Sequence, residues 1–389
     1  MHSSNHQPPS GPVKSSQRVP LGLVLSGGGA RGAYQVGVLK AIAELLPANA
    51  PVPFQVICGT SAGAIIGALI AGNARNFRQG CTLLESVWRN FSVGQVFRAD
   101  TMSMLRSGLH TFLALVSGGW LVPPPHSLLD NQPLRELLER HVNFARIRQA
   151  LDAGDISALA ISASSYAEGR SVTFFAQAEE TPPWETPWSR GELADLQLDH
   201  LMASAAVPLM FPPVAIDGVY YGDGAMRQVT PLSAATHLGA RRLLVIGVRP
   251  TEQRTVSRST TSAMPSFAQI MGFMLDSVFS EQPHVDVERL QQENLLSKAD
   301  SSDRVLGQVV PFLIVPSEDF GAIAARHMGS MPRTLRILLR TLGAKRQTGS
   351  TLLSYLLFEA EYTRELIALG YADAMARREE LQTFLWSDS

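Results

Sequence analysis

The chain has 389 residues, 45% of them hydrophobic and 17% charged, a balance that supports a large buried core and excludes wholesale disorder. Formal net charge is −1, from 33 Lys and Arg against 34 Asp and Glu, with no long basic run, so neither a nucleic-acid footprint nor a polybasic membrane anchor is expected. The 2 cysteines, Cys58 and Cys81, are too few for a disulfide framework and fit a reducing compartment.

Residues 1–18 are polar, rich in Ser, Pro and His, and read as a disordered leader without the apolar stretch of a signal peptide. A short apolar run over 19–26 ends in three glycines, which predicts a buried strand entering a tight turn. Residues 33–46 place Tyr34, Val38, Leu39, Ile42 and Leu45 at helical spacing before Pro47. A second β-rich run over 54–58 leads through glycine into a small-residue helix over 62–71. Strand, helix, strand, helix is the pattern of a parallel sheet with crossover helices, and it resumes with strands over 158–164, 172–175 and 243–248. The fold expected is α/β, three layers with a mostly parallel central sheet, plus C-terminal helices.

Between about 91 and 130 the period is lost in an apolar stretch containing Met102, Met104, Leu113 and Trp120, which runs into Pro123-Pro124-Pro125. It reads as an insertion, either core or a lid for flexible acyl chains. No run reaches the ~18 apolar residues of a membrane span. Residues 266–296 and 331–342 read as helices, and 352–384 as a C-terminal helix or helix pair broken near Gly370. A cytoplasmic protein, at most peripheral on a membrane, is expected.

A serine at a sharp strand-to-helix turn needs small flanking residues, and Gly59-Thr60-Ser61-Ala62-Gly63 meets that need directly after a strand. Acyl transfer also needs donors for an oxyanion, and Gly27, Gly28 and Gly29 with Arg31 stand at a helix N-terminus where backbone N–H groups are free. The same stretch through Gly32 matches a dinucleotide-binding loop, but that reading wants an acid at the end of the second strand, where Gly59-Thr60-Ser61 stands. None of the 9 histidines sits in a context that marks a base; His200 and His237 read as packing residues. Asp223, between Gly222 and Gly224, is the alternative base, weighed against an exposed Asp-Gly turn.

Taken together, the Gly27–Gly32 loop, the Gly59–Gly63 elbow and the Asp223-Gly224-Ala225 turn resemble the three hallmark motifs of the patatin-like phospholipase family, and residues 204–213 resemble a stretch that precedes the Asp. The segment after 248 is similar to bacterial members. The resemblance implies a patatin-like fold and a phospholipase A or lysophospholipase activity on carboxylic esters of lipids. It assigns Ser61 as nucleophile, Asp223 as base without a histidine, Gly27, Gly28, Gly29 and Arg31 as oxyanion hole, and Gly32, Gly59, Gly63, Gly224 and Ala225 as motif-supporting positions. No cofactor, metal or nucleic acid is implied, and the partner expected is the lipid substrate. The domain expected spans 19–315, followed by a helical extension over 316–389 that caps it or binds a partner. The alternatives are a dinucleotide-binding protein and a catalytically silent regulatory member.

Overall fold

A computed structural model of the chain describes residues 19–98, 127–178, 181–228, 230–250, 264–279, 282–299, 308–344 and 349–386. In chain order these give β1 (Leu21–Leu25), α1 (Gly32–Leu45), β2 (Val56–Thr60), α2 (Ala62–Ala71), α3 (Phe77–Trp88), α4 (Gln132–His141), α5 (Phe144–Asp152), β3 (Ala158–Ser165), β4 (Ser171–Gln177) and β5 (Ser189–Leu193). There follow α6 (Leu198–Ser204), β6 (Val214–Ile216), β7 (Val219–Asp223), α7 (Ser233–His237), β8 (Arg242–Ile246), α8 (Phe267–Phe279), α9 (Gln282–Ala299) and β9 (Val310–Ile314). The remaining helices are α10 (Phe320–Arg326), α11 (Arg333–Thr341), α12 (Ser350–Leu356), α13 (Ala360–Ala376) and α14 (Arg378–Trp386).

The strands form one sheet in the order β5-β4-β3-β2-β1-β8-β9, with the β6–β7 hairpin attached to β3. The row from β3 through β2, β1 and β8 to β9 is parallel, as expected for strands joined by crossover helices. Both faces are covered. Leu21, Leu23 and Leu25 of β1 turn toward a large core shared with α1, α2 and α3, whereas Val24 turns toward a smaller one shared with α7 and α9. The three-layer α/β arrangement with a mostly parallel sheet is therefore the fold, and C-terminal helices are present.

Several local expectations need correction. The strand read over 172–175 pairs antiparallel with β3 from Ser171 to Gln177, because the turn between them is too short for a crossover. The C-terminal helical run breaks at residues 357–359 and at Arg377, not near Gly370, which lies within α13. Gly370 is helical because its missing side chain admits a neighbour: a Cβ there would stand 2.1 Å from the Tyr34 carbonyl oxygen of α1. The expected leader (1–18) and the core of the apolar insertion (99–126) lie outside the described residues. The chain on either side of the latter closes on itself, the Arg98 N–H donating to the Asp130 carbonyl at 2.9 Å. Among the described residues no helix is long and apolar enough to cross a membrane.

Candidate active site

The sharpest turn in the sheet follows β2. Ser61 has φ 54° and ψ −125°, a backbone conformation that costs a non-glycine residue on the order of 1–3 kcal/mol and persists only where its surroundings enforce it. Those surroundings are visible. The Ser61 N–H donates to Ser204 Oγ at 2.8 Å, and that hydroxyl donates onward to the Ser162 carbonyl at 2.6 Å. The flanking glycines let the turn close: a Cβ on Gly63 would fall 2.3 Å from the Leu25 carbonyl oxygen and one on Gly59 would fall 2.4 Å from that of Gly63. The strain thus aims the Ser61 side chain off the sheet end at the start of α2.

Asp223 reaches the same spot from the opposite direction. β2 pairs with β3 up to Thr60 opposite Ser162, and β7 takes the next positions antiparallel, with Asp223 opposite Ala163. The ends of β2 and β7 therefore meet head-on along one strand. The Asp223 N–H donates to the Ala206 carbonyl at 2.9 Å, its carbonyl accepts from Ser164 Oγ at 2.8 Å, and its Oδ1 accepts the Ala225 N–H at 3.0 Å. The side chain is completely buried. Burial pushes the Asp223 carboxyl up to about 7, against the opposing influence of the Ser61 hydroxyl and the Ala225 N–H. The Ser61 hydroxyl is near enough to favour the carboxylate, yet no hydrogen bond of good geometry joins the two, and Oδ2 is buried with no partner.

The glycine loop lies beside this pair. A Cβ on Gly27 would stand 3.1 Å from the Ser61 Cβ, so the loop backbone passes in van der Waals contact with the serine. The N–H groups of Gly28 and of Ala62, the first residue of α2, have no backbone acceptor among the described residues, as expected ahead of a helical turn. Arg31 has a different place from the one its position in the motif implies. Its N–H donates to the Gly28 carbonyl at 3.1 Å, and its guanidinium donates to Asp276 Oδ1 at 2.8 Å, Ser354 Oγ at 2.9 Å and the Tyr355 hydroxyl at 2.9 Å. It also stacks 3.8 Å from the Tyr355 ring centroid. Burial works against this charge, but the Tyr355 and Asp276 groups around it outweigh burial and raise its pKa. Arg31 thus braces the loop from behind.

An apolar cavity of about 630 Å³ opens beside Ser61 and is lined by Ala62, Ile65 and Leu69 of α2, Trp88 of α3, Leu138 of α4 and Phe358, among others. Ile65 and Leu69 lie one and two turns beyond Ser61, so the cavity follows α2 for roughly 12 Å. Neither suspected histidine approaches the serine through a hydrogen bond. His200 accepts the Gln197 N–H at 3.0 Å through Nδ1 and packs on Phe174, and His237 stacks on Trp184 at 4.7 Å. Both are packing residues, as read from the sequence. Cys58 and Cys81 are free and buried, and burial pushes the Cys58 thiol up to about 12. Among the described residues no group of three or more His, Cys, Asp or Glu side chains is arranged to hold a metal ion. Ser204 was not singled out by sequence reasoning, although residues 204–213 were; a serine two residues after a helical His-Leu-Met run carries no signal until its partners are seen.

Comparison with known proteins bears on the whole arrangement. The chain is 57% identical over 78 residues to "Lysophospholipase nte1" of Aspergillus niger, covering 18% of this chain and 5% of that protein. It is 56% identical over 54 residues to the Aspergillus oryzae protein of the same name, covering 14% and 3%. It therefore spans only a small part of the length of these relatives. Among solved structures it resembles human GIVD cytosolic phospholipase A2 in complex with methyl gamma-linolenyl fluorophosphonate, with 12% identity, 97% of this chain and 60% of that one covered, and a TM-score of 0.44. VipD from Legionella pneumophila gives 14% identity, 90% and 67% coverage, and a TM-score of 0.35. The sequence model of the patatin-like phospholipases matches residues 23–236, which takes in the glycine loop, the serine elbow and Asp223. With more than half of its length so matched, the chain belongs to the patatin-like phospholipase family.

Proposed function

We propose that the protein is a serine-dependent lipid acyl hydrolase of the phospholipase A or lysophospholipase type, acting through a Ser61–Asp223 dyad. The observation that carries this reading is the register along β3, which brings a buried carboxyl to a strained serine at the mouth of an apolar cavity. Ser61 Oγ attacks the ester carbonyl carbon while its proton passes to Asp223, and the carbonyl oxygen becomes an oxyanion held by the N–H groups of Gly28 and Ala62. The C–O bond to the alcohol then breaks, the leaving oxygen takes the proton from Asp223, and the acyl group stays on Ser61. Water attacks that ester with Asp223 again accepting the proton, releasing fatty acid and free serine. The cavity along α2 receives the acyl chain. Every proton is held by this chain's own residues, and the step requires no cofactor.

Two adjustments to the motif-based site follow. The donors of the oxyanion hole are main-chain groups, and Arg31 serves as a buttress whose side chain meets no substrate. The lipid is the partner, with membrane contact peripheral. The curated relatives named as lysophospholipases support a single-chain lipid as one substrate, and a mixed extract decides among headgroups and acyl positions.

The test is fatty-acid release from a mixed lipid extract by the purified protein, with Ser61→Ala and Asp223→Asn as folded controls. Each substitution is expected to lower kcat by about 10³-fold or more. A fluorophosphonate probe should label wild type and leave Ser61→Ala unlabelled. Release at wild-type rate by Ser61→Ala would exclude the mechanism, and failure of the wild type both to label and to release would favour a silent regulatory role.

A further inference from the structure

Helix α8 presents an apolar stripe to solvent. Phe267, Ile270, Phe273 and Met274 are 53%, 46%, 71% and 52% exposed, and their spacing of three and four residues puts them on one face. Soluble chains scatter exposed apolar residues singly, and a row of four large ones on one helix marks a contact surface. The opposite face of α8 is buried through Ala268, Gly272, Leu275 and Phe279. Its one acid, Asp276, is engaged by Arg31 and leaves the stripe without negative charge.

The neighbouring helix adds positive charge. The Ala268 N–H donates to the Leu342 carbonyl at 3.0 Å, and Ser266 Oγ donates to the Gly343 carbonyl at 3.2 Å, so the start of α8 abuts the end of α11. On α11, Arg333, Ile337 and Arg340 share one exposed face, with Ile337 64% exposed, while Leu335 and Leu339 are buried. α11 contains no acid, and neither Arg333 nor Arg340 forms an ion pair among the described residues. Large apolar side chains beside unpaired arginines suit the boundary between headgroups and acyl chains of an anionic bilayer. The stripe is also close to the chemistry: Phe279 packs against Gly27 of the catalytic loop, and Met274 is five residues away, roughly 7.5 Å along the helix.

We infer that the exposed face of α8 with the cationic end of α11 is a docking surface for anionic phospholipid membranes, holding the Gly27–Gly29 loop against the lipid surface. This deepens the hydrolase reading but is tested apart from it, because docking needs no turnover. The experiment is co-sedimentation of full-length Ser61→Ala protein with phosphatidylglycerol or phosphatidylcholine vesicles, with and without Phe273→Ser or the pair Arg333→Gln and Arg340→Gln. Binding to phosphatidylglycerol is expected to exceed binding to phosphatidylcholine at least tenfold and to weaken with salt. Phe273→Ser and the double arginine variant should each reduce it about tenfold, while both, made in otherwise wild-type protein, hydrolyse a soluble short-chain ester at the parental rate. Equal binding by the variants, or equal affinity for the two lipids, would overturn the inference. So would a concentration-dependent dimer, seen by light scattering, that Phe273→Ser dissolves, since the face would then belong to a second copy.

Discussion

At the scale of single residues, Asp223 controls how the protein responds to pH. In the unfolded chain its carboxyl titrates near 3.8, and in the folded protein burial moves it to about 7. Below 3.8 both states carry the proton and folding is indifferent to it. Between the two values only the folded state keeps the proton, so stability falls as pH rises, and above about 7 the loss is complete. At about 1.4 kcal/mol per pH unit the gap corresponds to about 4 kcal/mol. Catalysis runs the other way, because only the ionised form accepts the Ser61 proton. The expected outcome is a kcat/KM that climbs through pH 7, and an Asp223→Asn variant that is inactive but melts higher than wild type at pH 8 and no higher below pH 4. A flat melting difference across that range would show Asp223 to be ionised throughout. The identity of Asp223 was legible in the sequence because two glycines flank it within a family motif. Its proton affinity was not, since that depends on Ala206, Ser164 and Ala225 closing around it, and these come together only through the β3–β7 register. The same holds for Arg31, whose motif position suggested contact with substrate until Asp276, Ser354 and Tyr355, more than two hundred residues away in sequence, were seen to claim its donors.

At the scale of elements, the site is assembled by what β2, α2 and β7 do at one end of β3. The parallel strands were legible as short, wholly apolar runs, because strands covered on both faces lose the alternation of half-exposed ones. β5 was not legible: its Ser-Arg-Gly-Glu-Leu sequence is half exposed at the sheet edge and carries no apolar pattern. β9 escaped for a similar reason, with Pro311 on its edge position and only Ile314 fully buried. The helix α2 was read to its residue boundaries, since glycine and alanine leave only its helical period to see. Its second role, as a wall of the acyl cavity, depends on α3 and α4 standing opposite. Leu69 of α2 and Leu138 of α4 line the cavity away from Ser61, so filling that end should set the acyl length. Leu69→Phe and Leu138→Phe are each expected to cut kcat/KM for a long-chain lysophospholipid at least tenfold relative to a short-chain ester, with the short-chain rate nearly unchanged. Competition between chain lengths within one assay measures the ratio directly, and equal losses on both substrates would indicate damage to the dyad instead of a shortened cavity.

At the scale of the molecule, the chain beyond residue 315 bears on the catalytic loop, although its sequence suggested an appended cap. Among the described residues α13 lies along α1 so closely that a Cβ on Gly37 would stand 2.1 Å from the Ile367 carbonyl oxygen, and one on Gly370 would stand 2.1 Å from that of Tyr34. Such reciprocal glycine contacts bring two helix backbones together, and side chains seal the approach: Tyr34 and Tyr362 are wholly buried, and the Tyr34 hydroxyl donates to Asp373 at 3.0 Å. α12 supplies Ser354 and Tyr355 to the Arg31 cage, so removing it strands a buried cation directly behind Gly28. Losing the partners of such a charge costs about 3–5 kcal/mol, before the apolar surface of α1 exposed to water is counted. We therefore propose that residues 316–389 fold as part of the catalytic unit. A chain ending at residue 315 should be insoluble or lack a cooperative melt and be inactive on every ester. Gly370→Leu tests the same point within the full chain, where it is expected to lower Tm by about 5 °C or more while the sheet and dyad residues stay untouched. A soluble, cooperatively melting and active 1–315 fragment would restore the extension to a separate domain, and in that case Gly370→Leu should melt the helices without reducing hydrolysis.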